Sequence, residues 1–225
     1  MIMSVMNNES SVVESIESIL NQTYEKFEFL ILDDFSNDDT FKIIKEYEKI
    51  DDRIKIFKNN KNLGLTKSLN ILISNTKGSL IARQDGDDVS YKNRFKKQIY
   101  YFQNSDFDFC VSRAKTQQSG KVLPKFSYYI PSPLVSKFKN PFVHGTLMIK
   151  KNTLLEIGSY NESYYYAQDF KLFKDLLNKN KKFKYIKEPL YRLNTQNNIS
   201  TIKKIEQDFY SNLVKRNQNP TKLIK

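Results

Sequence analysis

The sequence has one cysteine, no tryptophan and six glycines among its 225 residues. With Cys110 as the only thiol, it can form neither an internal disulfide nor a structural zinc site built on several thiolates. We expect a reducing compartment, most simply the cytoplasm. No apolar run approaches the roughly 20 residues that span a bilayer, and the N-terminus lacks the basic and apolar regions of a secretion signal. We therefore expect neither a classically secreted protein nor an integral membrane protein.

Large side chains and positive charge are plentiful. Apolar residues make up 39% of the chain and aromatic residues 13%, which is enough for the core of one α/β domain with a short tail. The net charge of +12 permits a nucleic acid, an anionic membrane surface or a phosphorylated ligand as partner. Acidic residues nonetheless gather in two tight clusters, which we expect to carry function. They are Asp33, Asp34, Asp38 and Asp39, followed by Asp85, Asp87 and Asp88.

Strand and helix patterns alternate over the first hundred residues. The predicted strands are 27–32, 54–57 and 80–82, and the predicted helices are 12–20, 41–47 and 65–73. Such alternation with short connections is typical of βαβ units and of a mainly parallel sheet. Ligands of these sheets bind beyond the carboxyl ends of the strands, so we expect both acidic clusters to converge on one crevice.

The alternation weakens beyond Tyr100, where a proline-containing stretch predicts a loop-rich region on the acceptor side. Ordered elements are still predicted, namely strands at 107–112, 145–150 and 183–186 and a helix at 168–178. The end of the chain is polar and basic. It fits either a helix that rests on an anionic membrane surface or a solvated, frayed terminus.

The sharpest local feature is Asp85-Gly86-Asp87-Asp88, which follows a predicted buried strand. Magnesium and manganese prefer oxygen ligands and are commonly held by one or two carboxylates together with substrate phosphates. The segment therefore fits a metal and diphosphate site. By itself it equally fits acids that cap the next helix or lie in solvent.

Motifs along the chain decide between these interpretations. Val5–Glu9 (VMNNE) resembles V-Y-N-E, Leu32–Thr40 (LDDFSNDDT) resembles V-D-D-G-S-T-D-G-T, and Ile81–Asp88 (IARQDGDD) resembles I-A-x-x-D-A-D-D. Further matches follow in the same order at Asn62–Leu65, His144–Met148, Gly158–Glu162 and Gln168–Asp169. Over residues 1 to 195 the chain thus resembles the family-2 glycosyltransferases.

The resemblance implies a GT-A fold, in the α/β class. This is a Rossmann-like, mainly parallel sheet flanked by helices, with a small antiparallel portion on the acceptor side. Residues 1–100 would form the nucleotide-sugar-binding half and residues 101–195 the acceptor-side half with the catalytic base. Residues 196–225 would form the basic C-terminal tail.

The resemblance also implies roles for individual residues. Asp87 would be the principal ligand of Mn²⁺ or Mg²⁺, with Asp85 contributing, and Asp169 would be the general base. Asp34 would hydrogen-bond the uracil of a UDP-sugar. The residues expected at the nucleotide-sugar site are Ser4, Asn7, Asp34, Lys67, Arg83, Asp85 and Arg192. Without the resemblance, an N-cap is the simpler interpretation of Asp169, and ordinary surface charge that of Lys67.

Several positions depart from the family pattern. Gln168 stands where the family has Glu, so the acceptor site has one carboxylate fewer, although the base is retained. Met6 replaces a tyrosine, and Phe35 stands where glycine is common. His144, the only histidine, is expected with Gln168 at the acceptor or diphosphate pocket. Asn194 replaces a late histidine, which removes a candidate metal ligand.

The resemblance implies an inverting glycosyltransferase, which moves a sugar from a UDP-sugar to a hydroxyl of a glycan or lipid-linked acceptor. Synthesis of a bacterial surface polysaccharide or lipopolysaccharide would be its setting, at the cytoplasmic face of a membrane. One alternative is a catalytically impaired homologue that binds nucleotide-sugars as a scaffold. A nucleotidyltransferase would need a glycine-rich, lysine-bearing loop, which is absent. A nucleic-acid partner is not expected, because no recognition motif accompanies the positive charge.

Overall fold

Four parallel strands build the first half of the sheet in this computed structural model, which describes residues 1–196 and 202–221. They lie in the order β3-β2-β1-β4. Their bounds are β1 Ile2–Val5, β2 Phe29–Asp33, β3 Ile54–Lys58 and β4 Leu80–Asp85. The helices of this half are α1 Val12–Leu20, α2 Thr40–Ile50, α3 Leu65–Asn75 and α4 Arg94–Asn104. The predicted alternation of strands and helices is confirmed.

The second half continues the same sheet with mixed strand directions, in the order β4-β8-β6-β9-β5. Its strands are β5 Val89–Ser90, β6 Phe109–Thr116, β7 Val122–Leu123, β8 Met148–Lys150 and β9 Phe183–Leu193. Its helices are α5 Ser132–Val135, α6 Lys151–Glu156 and α7 Gln168–Asn178, with short 3-10 turns at Phe126–Tyr129 and His144–Thr146. β8 runs antiparallel to β4, and β6 runs parallel to β9.

The register of the parallel strands brings the two acidic clusters together. All five residues of β2 are buried, because helices cover both faces of the sheet there. Val5 of β1 pairs with Asp33, and Ser4 pairs with Asp85. The carboxyl ends of β2, β1 and β4 therefore meet at one edge of the sheet, as the sequence predicted.

Two predicted strands have different lengths in the structure. The strand expected at 145–150 is shortened to β8, because the 3-10 turn His144–Thr146 occupies its first half. The strand expected at 183–186 extends to Leu193 as β9. Its pairing with β6 shifts register near Pro189, where the missing N–H interrupts the ladder.

Residues Lys204–Lys215 of the basic tail form an eighth helix, α8. Tyr210 and Val214 on this helix are buried in a cluster with Tyr164 and Phe170, next to the start of α7. The frayed-terminus interpretation is therefore wrong for α8. The tail residues 197–201 and 222–225 lie outside the described residues. Among the residues the structure does describe, no helix has the length and apolarity needed to cross a bilayer.

Candidate active site

The acidic turn, Asp85–Asp88, leads from the end of β4 into β5 at the shared strand edge. Asp85 is the last residue of β4 and lies beside Ser4 in the parallel register. The N-cap of α4 is Asn93, so these acids do not cap the following helix. The structure thus leaves the turn free for a role other than helix capping.

Close packing fixes the path of this turn. A Cβ atom on Gly86 would lie 2.8 Å from Cγ1 of Val5, so only glycine lets the turn approach the loop after β1 so closely. The fully buried Gln84 braces the turn from below, because its Nε2 donates to Asp88 O at 2.7 Å and to Ser15 Oγ at 3.0 Å. Both contacts place the carboxylates on the open side of the sheet edge.

The buried side chain of Arg94, on α4, also supports this network. Its Nη1 donates to Ser90 Oγ at 2.8 Å and to Gln84 Oε1 at 3.3 Å, and its Nη2 donates to Arg83 O at 2.9 Å. Burial lowers the pKa of Arg94 to about 10, which still leaves it charged at neutral pH. A positive charge therefore lies beneath the acidic turn.

Asp85 is tied to the protein on two sides. Arg83 is 1% exposed, and its Nη2 lies 2.6 Å from Asp85 Oδ1. Burial works to lower the pKa of Arg83, but the Asp85 carboxylate together with Tyr160 and Tyr191 raises that pKa above its ordinary value. Behind the turn, the hydroxyl of the buried Tyr191 accepts from Asp85 N at 3.1 Å and hydrogen-bonds the Asp88 carboxylate. These contacts hold Asp85 in one orientation.

The three carboxylates of the turn are not equivalent. Asp88 is 2% exposed, and its Oδ1 accepts from Asn194 N at 2.6 Å. Burial, followed by the charges of Asp85 and Asp87, raises the pKa of Asp88 well above its ordinary value. Burial and the charge of Asp85 likewise raise the pKa of Asp87 to about 6. Apart from its own backbone N–H, Asp87 accepts only a long 3.4 Å contact from Asn194 Nδ2 among the described residues, so its carboxylate is the one left open.

This donor set fits a hard divalent cation that also binds the ligand. Within residues 1–196 and 202–221, no group of three or more His, Cys, Asp or Glu side chains is arranged to hold a metal by protein ligands alone. The Asp87 carboxylate is accessible to a ligand. Its pKa is raised because burial and the charge of Asp85 destabilise the ionised carboxylate, and no nearby cation compensates them fully. One or two carboxylates completed by phosphate oxygens are the usual magnesium or manganese arrangement. Asp87 with Asp85 fits that pattern, and the buried Asp88 does not.

Asp169 faces the same crevice from the second residue of α7. Its Oδ2 accepts from Asn140 Nδ2 at 2.7 Å. Burial raises the pKa of Asp169, and the nearby charge of Asp85 acts in the same direction, whereas the hydrogen bonds from Phe170 N and Asn140 lower it. The N-cap of α7 is Ala167, so the N-cap interpretation of Asp169 is wrong.

The backbone just before Asp169 is strained. Ala167 has a φ of +53°, in the left-handed region that an alanine rarely adopts. Its N–H donates to Gln207 Oε1 of α8 at 3.2 Å. The tail helix thereby supports the turn that leads into Gln168 and Asp169.

His144 lies between this turn and the core. Its Nε2 is 2.6 Å from the hydroxyl of Tyr160, and its ring packs edge-on against Phe173 with centroids 6.3 Å apart. Burial and the positive charge of Arg83 lower the pKa of His144 well below its ordinary value, so the imidazole is neutral. A neutral imidazole at this place can orient Tyr160 but adds no charge to the pocket.

Asp34 organises the other side of the crevice. Its Oδ1 accepts from Asn59 Nδ2 at 2.8 Å and from Leu63 N at 2.9 Å, and its Oδ2 accepts from Gly64 N at 2.8 Å. Gly64 has a φ of +86°, and a Cβ atom there would lie 2.7 Å from the ring of Tyr165. The carboxylate therefore holds the loop that begins α3, and Oδ2 keeps a lone pair for a ligand.

The other residues predicted for the nucleotide side are distributed around this edge. Asn7 is exposed with a φ of +53°, and its Oδ1 accepts from Asn37 N at 2.9 Å, which joins the loops after β1 and β2. Lys67 is exposed in the first turn of α3. Arg192 on β9 forms an ion pair with Glu14 of α1.

Sequence reasoning missed the residues that hold this site. Gln84, Arg94, Asn140 and Tyr191 carry the hydrogen bonds described above, yet none belongs to a recognisable acidic or glycine-rich pattern. Gln84 and Tyr191 had a signal, because Gln84 lies within the motif Ile81–Asp88 and Tyr191 opens the segment Tyr191–Asn194, which resembles the family's late Y-R-x-H. Asn194 had been noted only as the loss of a histidine, although its backbone N–H fixes Asp88.

Two curated relatives share about a third of their aligned residues with this chain. The profile described as "Glycosyl transferase family 2" matches residues 1–177. The glycosyltransferase EpsE of Bacillus subtilis (strain 168) is 35% identical over 166 residues, which are 71% of this chain and 58% of EpsE. The O-antigen biosynthesis glycosyltransferase WbnJ of Escherichia coli is 34% identical over 184 residues, covering 79% of this chain and 70% of WbnJ. The chain thus spans little more than half the length of EpsE.

The fold also matches solved structures. The S. aureus protein TarS, residues 1–349 in complex with UDP-GlcNAc, superposes with a TM-score of 0.75 at 18% identity. The match covers 88% of this chain and 58% of the TarS chain. The predicted GT-A fold is confirmed.

Proposed function

The chain belongs to glycosyl transferase family 2, and from this premise we propose that it is an inverting enzyme with a UDP-sugar donor. Its acceptor is a hydroxyl group of a glycan or a lipid-linked glycan, in the synthesis of a bacterial surface polysaccharide or lipopolysaccharide. The relation to an O-antigen biosynthesis glycosyltransferase supports this setting. The observation that carries the proposal is that Asp169 lies close enough to Asp85 of the acidic turn for the charge of Asp85 to raise the pKa of Asp169.

On the acceptor side, Asp169 is the general base. It takes the proton of the acceptor hydroxyl while that oxygen attacks the anomeric carbon of the donor, and the bond to UDP breaks on the opposite face. Asn140 fixes Oδ2 of Asp169 at 2.7 Å and so orients the carboxylate that receives the proton. Burial raises the pKa of Asp169, and a stronger base follows.

On the donor side, Asp87 and Asp85 would hold Mn²⁺ or Mg²⁺ beside the diphosphate. When bound, such an ion would supply positive charge to offset the negative charge that develops on the leaving UDP. Arg83 fixes the orientation of Asp85, so the second carboxylate is preorganised. Hydrogen bonds made by Gln84, Arg94 and Tyr191 hold the turn in place without the ion.

At the nucleotide end, Asp34 accepts the N3–H of uracil at Oδ2. The first bond to that oxygen comes from Gly64 N, so one lone pair stays available. Ser4 and Asn7 line the same pocket, and Lys67 and Arg192 lie at its rim. His144 and Gln168 line the acceptor side.

A screen of UDP-glucose, UDP-galactose and their N-acetylated analogues for manganese-dependent release of UDP tests this proposal. We expect one of them to be hydrolysed by the wild type, with turnover falling at least about 100-fold in Asp169→Asn while UDP still binds. UDP binding without turnover of any donor or acceptor would favour the scaffold alternative. If neither binding nor turnover occurs, the proposal fails.

A further inference from the structure

A surface next to the catalytic base combines exposed apolar side chains with unpaired positive charge. From Phe109 to Leu155 the sequence has no Asp or Glu, and its cations are Arg113, Lys115, Lys121, Lys125, Lys137, Lys139, Lys150 and Lys151. Within this stretch we define the basic-apolar surface as Lys121–Lys139. Its four lysines are exposed and form no ion pair with any part of the chain that the structure describes. Within residues 1–196 and 202–221, no ion pair offsets this charge.

Large apolar side chains stand out from the same surface. Their exposed fractions are 84% for Phe126, 70% for Tyr129, 44% for Ile130, 47% for Leu134 and 69% for Phe138. A monomeric protein rarely leaves so many large apolar groups together in water without a partner. The mixture of apolar and cationic groups is typical of segments that lie in the interface of a membrane.

The scaffold beneath these side chains is well anchored. Val135, the residue after Leu134 on α5, is buried, and Lys174 Nζ of α7 donates to Ser136 O at 3.2 Å. The ring of Tyr128 packs edge-on against Tyr185 with centroids 4.8 Å apart. The segment that carries the exposed side chains is therefore held in place by other side chains, which pack against the rest of the protein.

The surface ends next to the chemistry. Asn140, the residue after Lys139, donates to Asp169 Oδ2 at 2.7 Å. A partner bound at this surface would thus lie beside Asp169, the base that takes the proton of the acceptor hydroxyl.

We infer that the basic-apolar surface Lys121–Lys139 docks the protein on an anionic lipid membrane. Phe126, Leu134 and Phe138 enter the interface, and the lysines bind lipid phosphates. That this docking presents a lipid-linked acceptor to Asp169 rests on the proposed function, whereas the docking itself does not.

The charge of this surface disfavours the other occupants. In a symmetric dimer the four lysines of one copy would face the four of its partner, which is repulsive. A purely polyanionic polymer would satisfy the lysines but would leave the leucine and isoleucine in water. Helix α8 also exposes apolar residues, Ile205 and Phe209. It is a weaker candidate for the membrane-binding surface, because the acidic residues Glu206 and Asp208 lie among them.

Sedimentation of the full chain with vesicles tests the inference. We expect binding to vesicles of equal parts phosphatidylcholine and phosphatidylglycerol and little binding to phosphatidylcholine alone. The double variant Phe126→Ser/Phe138→Ser should lower the partition coefficient at least about tenfold. Each of Lys137→Gln and Lys139→Gln should lower it about fivefold, less at high salt. The matched control Ile205→Ser/Phe209→Ser removes two exposed apolar groups from α8 and should leave binding unchanged.

Several results would overturn the inference. Absence of binding to anionic vesicles does so, as does an equal loss in the α8 control. A concentration-dependent dimer that disappears in Phe126→Ser/Phe138→Ser would assign the surface to a second copy. If polyphosphate binds equally well to the wild type and to Phe126→Ser/Phe138→Ser, the surface would be assigned to a polyanionic polymer. UDP release measured without vesicles should be the same in this variant and the wild type, so a failure of docking and a failure of the proposed function are seen separately.

Discussion

Replacing Asp87 with asparagine should make the metal-free protein more stable while it destroys metal binding. The pKa of Asp87 is raised from 3.8 to about 6 by burial and the charge of Asp85. A raised pKa of a carboxyl group means that its ionised form destabilises the fold, by about 3 kcal/mol at pH values above 6. Solvent at the open side of the turn screens part of this, so we expect a gain of about 2 kcal/mol. For a chain of this size that is roughly 4 to 8 °C in Tm.

Thermal unfolding in EDTA at pH 7.5 measures this effect. The sign follows from the raised pKa: the penalty in the wild type is full above pH 6, shrinks as the pH falls from 6 to 3.8, and is gone below that. The difference in Tm between Asp87→Asn and the wild type should shrink over the same range. Manganese with UDP should raise the Tm of the wild type, because a ligand that binds only the folded state stabilises it, and should leave the variant unchanged.

Asp85→Asn is the matched control, only two residues away. Asp85 is ion-paired with Arg83, which is 1% exposed, so its loss leaves a buried guanidinium without its carboxylate. Breaking such a pair costs about 1 to 3 kcal/mol, so the Tm should fall. A Tm of Asp87→Asn in EDTA equal to or below that of the wild type would show that the turn holds no uncompensated negative charge at Asp87.

Three further variants test the supports of the site. In Asn140→Ala the hydrogen bond that lowers the pKa of Asp169 is lost, so the acid limb of the pH–rate profile should move to higher pH with little change in KM for the donor; an unmoved limb contradicts the assigned contact. Gly145→Ala would place a Cβ atom 2.5 Å from Cζ of Tyr191, and we expect a loss of about 1 to 3 kcal/mol in chemical denaturation, which wild-type stability would disprove. Tyr210→Ala should cost about 3 to 5 kcal/mol through the cavity beside α7, and an effect below 1 kcal/mol would show that α8 does not pack there.

The donor-side edge was predictable because its position depends on local pattern. Apolar runs that end in Asp33-Asp34 and in Asp85 predict buried strands, and parallel strands bring their carboxyl ends together. The same reasoning does not tell which acid of the turn is open. Asp87 and Asp88 differ because a backbone N–H from residue 194 engages only the latter, and that contact depends on the distant strand β9.

The acceptor side was less predictable for the same physical reason. β9 contains Lys187, Glu188 and Pro189, which interrupt the apolar pattern of a strand, and pairing with β6 and β5 carries it on to Leu193. Asn140 lies in an irregular segment with no periodicity to indicate its partner. α8 is too polar to be recognised as a packed helix, and its burial depends on Tyr210 meeting aromatic residues near α7.

The anomeric form of the sugar first released from the donor distinguishes an inverting from a retaining reaction. UDP-glucose and the related donors carry the sugar in the α configuration, so attack by water from the face of Asp169 in a single displacement yields the β anomer. Proton NMR, recorded before the free sugar equilibrates, distinguishes the two forms. The β anomer should appear first, and Asp169→Asn should release neither form at a comparable rate. Release of the α anomer first, or undiminished turnover in the variant, would contradict an inverting reaction with Asp169 as its base.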